Sequence, residues 1–118
     1  MTGDYRSRIV TADDAVAVVE SGQRVYIHNG CAAPTELVQA LTRRGPALRD
    51  VEVMHLATMG IADYSLPEHE GHFRTNSLFI GGNVRQAVQE GRGDYTPVFF
   101  SDIPALFTDR PSTTTNIR

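Results

Sequence analysis

Arg24-Val25-Tyr26-Ile27-His28-Asn29-Gly30-Cys31-Ala32-Ala33-Pro34-Thr35-Glu36-Leu37-Val38-Gln39-Ala40-Leu41 reads as a buried strand, a tight turn of small residues and a helix. Val25, Tyr26 and Ile27 are β-branched or aromatic and suit a pleated, covered strand. Gly30 through Ala33 leave open space above the strand end. Pro34 stands where a first helical residue belongs, because the N–H it lacks is one that a helix start does not use. Glu36 places a negative charge in the first turn, where it suits the helix dipole. Leu37, Val38 and Leu41 follow at helical spacing; Arg43 and Arg44 suit the C-terminus, and Gly45-Pro46 ends the helix. In an α/β sheet, loops of this kind at the carboxyl ends of strands are where ligands bind. Their free N–H groups face a carboxylate, phosphate or thioester oxygen.

Upstream, residues 1–10 read as an extended lead-in. A first helix is expected from about Ala12 to Ser21, capped by Thr11, with Ala15, Val16, Val18 and Val19 on its apolar face and Gly22 as its exit. Downstream, Val51 to Ala57 is expected as the second strand, apolar enough for a sheet covered on both faces. Residues 58–72 read as a long loop of the kind that carries function or mobility. Phe73 to Ile80 is the expected third strand. Asn83 is placed to cap a helix running through Glu90, with Val84, Ala87 and Val88 buried and Gly91 closing it. Tyr95 to Phe100 is the expected fourth strand, and Ser101-Asp102-Ile103-Pro104 opens a short turn or helix. Strands alternating with helices imply right-handed crossovers and a mostly parallel sheet with helices on both faces, an α/β fold. Residues 1–108 make one domain; 109–118, Ser/Thr-rich and without a period, read as a loose polar tail, disordered or truncated.

Composition narrows the function classes. With 118 residues, 41% hydrophobic and a formal charge of -3, the chain is one ordinary globular domain with no electrostatic claim on nucleic acid or an anionic membrane. No apolar run approaches the roughly 20 residues of a membrane helix, and the N-terminus lacks a signal-peptide pattern. The expected location is therefore cytoplasmic. A single cysteine excludes an internal disulfide.

The pieces taken in order resemble the N-terminal domain of the acetyl-CoA hydrolase/transferase family, which includes 4-hydroxybutyrate CoA-transferase-like enzymes. The resemblance runs from about Tyr5 to Phe107. It rests on Val10-Thr11-Ala12-Asp13-Asp14-Ala15-Val16 leading to Ser21-Gly22-Gln23-Arg24-Val25, and on Gly30 through Pro34 with Leu37 and Leu41. It continues in Phe73-Arg74-Thr75-Asn76-Ser77-Leu78-Phe79-Ile80-Gly81, in Val84 to Val88, in Gly91 to Val98 and in Ser101-Asp102-Ile103-Pro104. The resemblance implies covalent catalysis: a glutamate attacks an acyl-CoA thioester, a mixed anhydride and then a glutamyl-CoA thioester form, and CoA passes to an acceptor carboxylate or the intermediate is hydrolysed. Backbone N–H groups at the strand-end loops help hold the oxyanion. The family's catalytic glutamate lies in its second domain, and no glutamate here matches it. The chain then reads as half an enzyme, inactive alone, with no catalytic residue of its own. Coenzyme A is a substrate and no cofactor is expected. By the resemblance His28, Asn29, Gly30, Cys31 and Ala32 form one wall of the acyl or carboxylate pocket, and Ser101 joins from another strand end. Expected partners are acyl-CoA, a small carboxylate, a C-terminal catalytic domain or partner subunit, and further copies of the chain. The alternative is a stand-alone, non-catalytic domain that binds a small anion or a partner protein through the same loop.

Other residues invite sharper readings. Cys31 lies between a strand and a helix start, which favours a thiolate, but a lone cysteine with no clear histidine base reads more simply as a small core residue. His69-Glu70-Gly71-His72, with Glu68 and His55, offers metal-ligand types at a spacing unlike a zincin helix; a solvated polar loop explains it as well. Gly81-Gly82-Asn83 before a helix is either a phosphate cradle or, more simply, a tight turn. His28 is a structural histidine or a pocket group. Arg74 and Asn76 alternate along a strand and share a face, as a buried polar pair or an interdomain contact.

Overall fold

The computed structural model describes residues 3–108 and the backbone of 114–117. Helix α1 (Ala12–Val16) leads to strand β1 (Arg24–Ile27), helix α2 (Thr35–Arg44) and β2 (Val51–His55). Strand β3 (Phe73–Ser77), helix α3 (Arg85–Gln89), β4 (Gly93–Tyr95), α4 (Ala105–Thr108) and β5 (Thr114–Ile117) follow. The five strands form one sheet in the order β4-β3-β2-β1-β5, every pair parallel. Parallel strands need crossovers, and the right-handed rule then sets the layers. The steps from β1 to β4 all progress one way, so α2 and α3 cover one face. The return from β4 past β1 to β5 carries α4 over the other.

The first face is the core. Val25, Ile27, Val51, Val53 and Phe73 point into it and meet Val16, Val19, Val38, Leu41 and Val84. On the second face Phe107 of α4 stacks edge-on against Tyr26, ring centroids 5.3 Å apart. That face is more polar than the sequence suggested. Arg24 donates from Nε and Nη2 to Glu52 Oε2 at 2.9 and 2.8 Å, and Asn76 Nδ2 donates to Glu52 Oε1 at 2.8 Å. Thr96 Oγ1 donates to Asn76 Oδ1 at 2.7 Å, so one network crosses three strands and reaches the residue after β4. Arg74 turns instead to Asp94.

Several boundaries differ from expectation, each for a local reason. Thr11 caps α1 as expected, its Oγ1 accepting from Asp14 N at 3.1 Å. The helix stops at Val16, however, and the chain turns there, with Val19 N and Arg44 of α2 both donating to the Val16 carbonyl and Arg44 also to that of Val19. Val18 is therefore exposed rather than part of the apolar face. Pro34 sits just before α2, at its cap, and its carbonyl accepts from Val38 N at 3.0 Å. Asn83 does not cap α3; it reaches elsewhere, as described below. The fourth strand is Gly93–Tyr95, not Tyr95–Phe100, since a Cβ at residue 93 would collide with Thr75 Oγ1 and only glycine lets β4 lie beside β3. The segment 58–72 is not a free loop: Ala62 and Tyr64 are buried, and 3-10 turns form at Asp63–Ser65 and Pro67–His69. Within the expected polar tail, Thr114–Ile117 pairs with β1 as an edge strand, Ile117 beside Ile27. The remainder of that expectation, residues 109–113 and 118, lies outside the described residues. Among the described residues no helix is long and apolar enough to cross a membrane.

Candidate functional site

An all-parallel sheet gathers its strand-end loops at one edge, and here those loops are stitched together. After β1 the chain makes a tight turn in which Ala32 N donates to Asn29 O (3.3 Å) and Ala33 N to Gly30 O (3.2 Å). Gly30 has φ +58, a left-handed conformation that glycine adopts without strain. Its N–H donates to Ala57 O at 2.7 Å, and it bridges Thr58 in the loop after β2. That second loop is held in turn by Asn83, whose Nδ2 donates to Gly60 O at 3.1 Å. Leu78 N donates to His55 O at 2.9 Å and Thr96 N to Ser77 O at 2.9 Å, extending the ties toward β4.

The strand order gives this edge a direction. Connections advance from β1 to β4 on one face and return to β5 on the other, so the order reverses between β1 and β5. A crevice at such a switch point, outside the carboxyl ends, is where open α/β sheets bind ligands. Residues 28–33 occupy it. His28, Cys31 and Ala32 are exposed, and Asn29 and Gly30 are half-buried. The Cys31 N–H makes no backbone hydrogen bond among the described residues, and the residue is exposed. Cys31 itself is not the small core residue that a lone cysteine suggested. Ser101 is exposed in a 3-10 turn, Phe100–Asp102, on the connection leaving β4. Three strand spacings, about 14 Å, separate the ends of β4 and β1. No described hydrogen bond joins Ser101 to residues 28–32.

Beneath the edge lies a buried polar group that the sequence hinted at only through His55. His55 ends β2, fully buried, with Nε2 3.0 Å from Ser77 Oγ and Nδ1 without a partner. Burial pushes its pKa down to about 4, so the ring is neutral. Tyr64 packs against it, ring centroids 6.4 Å apart. Burial pushes that phenol well up, an effect the Thr58 hydroxyl partly offsets. This group supports the strand ends from below rather than opening to solvent.

The proposed metal cluster does not assemble. His55 lies at the carboxyl edge, whereas His72 precedes β3 at the opposite edge and pairs with Leu48 O at 2.7 Å. His69 contacts Glu68 and Phe73. Among the described residues no group of three potential ligands comes together. Gly81-Gly82-Asn83 forms a turn against the β2 loop, not a phosphate cradle, and α3 begins only at Arg85. Sequence reasoning missed the ties made by Thr58 and by Asn83 with Gly60, whose partners lie 23 to 28 positions apart. It also missed a cavity of about 250 Å³ on the second face, lined by Arg24, Met54, Asn76, Thr96, Asp102 and Leu106.

Residues 2–115 match the family model described as the acetyl-CoA hydrolase/transferase N-terminal domain. The 4-hydroxybutyrate coenzyme A transferase of Clostridium kluyveri is 39% identical over 106 residues, covering 90% of this chain and 25% of that protein. The succinyl-CoA:acetate/propanoyl-CoA:succinate CoA transferase of Fasciola hepatica is 41% identical over 109 residues, 91% of this chain and 22% of that protein. Among solved structures, RipA from Yersinia pestis superposes with a TM-score of 0.78 at 24% identity, covering 88% of this chain and 28% of that one. The chain thus spans about a quarter of the length of these relatives.

Proposed function

The chain belongs to the acetyl-CoA hydrolase/transferase family, and from that membership we propose that it is the pocket-shaping N-terminal portion of an enzyme acting on acyl-CoA thioesters and small carboxylates. The nucleophilic glutamate of the reaction lies outside these 118 residues in this reading. The role of this chain is to position. Residues 28–32 line one side of the acyl or carboxylate pocket, and the Cys31 N–H is aimed at oxygen charge that develops on the thioester carbonyl. A preorganised backbone donor costs no reorganisation when that charge appears. Ser101 joins the pocket from the connection that leaves β4. The observation that supports the reading is the position of the loop 28–33 at the switch point between β1 and β5, with the Cys31 N–H among those left without a backbone partner in the described residues.

An amide-resolved titration tests it. The isotope-labelled chain is titrated with acetyl-CoA and, separately, with acetate, while thiol release is followed. The expected result is perturbation centred on Asn29 to Ala33 with no thioester turnover by this chain alone. Perturbation confined to other regions, or none at millimolar ligand, overturns the pocket assignment. Thioester turnover that survives purification overturns the placement of the nucleophile elsewhere.

A further inference from the structure

The two most exposed large apolar side chains among the described residues are neighbours, Phe99 and Phe100, at 80% and 76% of their surface. Both lie on the connection from β4 to α4. Phe99 lines an open cleft of about 400 Å³ together with Tyr95, Pro97, Val98 and Asp102. Tyr95 ends β4 in the same row as Ser77, His55 and Ile27, so the cleft opens at the carboxyl edge of the sheet. The connection is held at both ends of the cleft. Thr96 N donates to Ser77 O and Thr96 Oγ1 to Asn76 Oδ1, and Asp102 N closes a turn onto Phe99 O at 2.9 Å. Asp102 is exposed, and no described hydrogen bond or ion pair engages its carboxylate.

The cleft joins aromatic faces to an unpaired carboxylate, and that pairing selects an occupant. A protein surface seated here would strip water from the Asp102 carboxylate without giving it a donor, which is costly. A flat heteroaromatic ring with an exocyclic amine satisfies both parts, stacking on an aromatic face and donating at its edge. We propose that this cleft binds an adenine base, stacked on Phe99 or Tyr95, with its exocyclic amine donating to Asp102. The cleft has the size of a small-molecule site. Two kinds of molecule carry the base: a free adenine nucleotide, and an acyl-CoA at the end opposite its thioester. The first is independent of the pocket-shaping reading above, and the second rests on it. The ends of β4 and β1 lie about 14 Å apart, a gap that the pantetheine arm between base and thioester is long enough to cross.

The test follows amide shifts of the labelled chain in separate titrations with AMP, IMP, acetyl-CoA and acetyl-pantetheine, which lacks the base. AMP is expected to perturb the amides between Tyr95 and Asp102 saturably. IMP, with an oxygen in place of the amine, should bind about tenfold more weakly. Phe99→Ala should weaken AMP binding about tenfold. Phe100→Ala removes a ring almost as exposed but outside the cleft lining, and should leave the affinity unchanged. Asp102→Ala should abolish the preference for AMP over IMP. Acetyl-CoA acting on these amides where acetyl-pantetheine does not assigns the base to the thioester substrate. AMP acting on them where acetyl-CoA does not assigns it to a free nucleotide. Silence of these amides to both AMP and acetyl-CoA overturns the site. So does an equal response to acetyl-pantetheine, or an equal loss in Phe99→Ala and Phe100→Ala, which marks a diffuse apolar surface. Shifts at Asn29 to Ala33 with none between Tyr95 and Asp102 remove the base site and leave the pocket reading intact.

Discussion

On one face of the sheet Val25, Ile27, Val51, Val53 and Phe73 pack against Val16, Val38 and Leu41. On the other, Arg24, Glu52, Asn76 and Thr96 hydrogen-bond from strand to strand, beneath a cover of only four helical residues in α4. Apolar contact is non-directional and scales with the area removed from water. A hydrogen-bond ladder adds little net free energy but is satisfied only in one register. The comparison suggests that the first face supplies most of the stability and the second holds the strands in register, so that the loops at their carboxyl ends meet. Substitutions on the two faces separate these roles.

The largest effect is expected on the apolar face. Ile27→Ala removes a fully buried side chain from the centre of the core and should cost about 4 kcal/mol in urea unfolding, the transfer loss plus the cavity left behind. A cost below that of any polar-face substitution would break the comparison.

Acid should act next most strongly, through the buried histidine of the first face, His55. His55 has its folded pKa depressed to about 4, while the unfolded chain titrates near 6.5. The unfolded state therefore binds the extra proton between these values, and stability falls as pH drops from about 6.5 to about 4. The loss is about 3 kcal/mol over that window. The pKa of Asp94 is also lowered, by its hydrogen bonds from Arg74, but stability from a depressed carboxylate is lost only as pH falls further, through its own folded value. Chemical unfolding at a series of pH values checks this. His55→Gln should flatten the curve above pH 4 and leave the acid limb in place; an unchanged slope between pH 6.5 and 4 would show that His55 is not the group responsible.

On the polar face, Glu52→Ala leaves the Arg24 guanidinium, 11% exposed, without its partner, and Asn76 without an acceptor. The expected cost is about 2 kcal/mol, the penalty for a nearly buried donor left unmade. The more telling readout is hydrogen exchange at the strand-end amides of Gly30 and Leu78. If the ladder sets register, those amides lose protection by more than the global change; if protection falls only in step with global stability, the second face is ordinary packing.

Much of the first face was legible in the sequence, and little of the second. Val25 to Ile27 announce a covered strand by residue type alone, and Thr11 announces a cap. The small-residue loop after β1 was readable because glycine and alanine before Pro34 leave few other structures open. What stayed hidden depends on partners distant in sequence. Arg74 and Asn76 were seen to share a face, but that they answer to Asp94 and Glu52 requires the register of three strands. Asn83 has the residue type of a helix cap, yet Gly60 O, brought close by the fold, takes its amide. Thr114 and Thr115 read as part of a tail because their sequence neighbours are polar; the open edge of β1 makes the stretch a strand. Tyr95 to Phe100 has the aromatic content of a strand but lacks the glycine that lets the backbone approach Thr75, and Gly93 supplies it two residues earlier.

The smallest effect sharpens the comparison at its margin. Arg74 and Asp94 form a two-pronged pair at 2.6 and 2.8 Å, with both side chains about half exposed. The guanidinium holds the Asp94 carboxyl below its ordinary range, and the carboxylate holds the Arg74 pKa up. Water nevertheless screens the pair, so its contribution should be only about 0.5 kcal/mol, and less at high salt. Asp94→Asn measured in low and in molar salt checks this, because the difference between variant and wild type should shrink as salt is added. A difference that persists undiminished would mean the pair acts through geometry, fixing the short strand β4 against β3. The second face would then hold register through Arg74 as well as through Glu52, and the division between the faces would extend to the outer edge of the sheet.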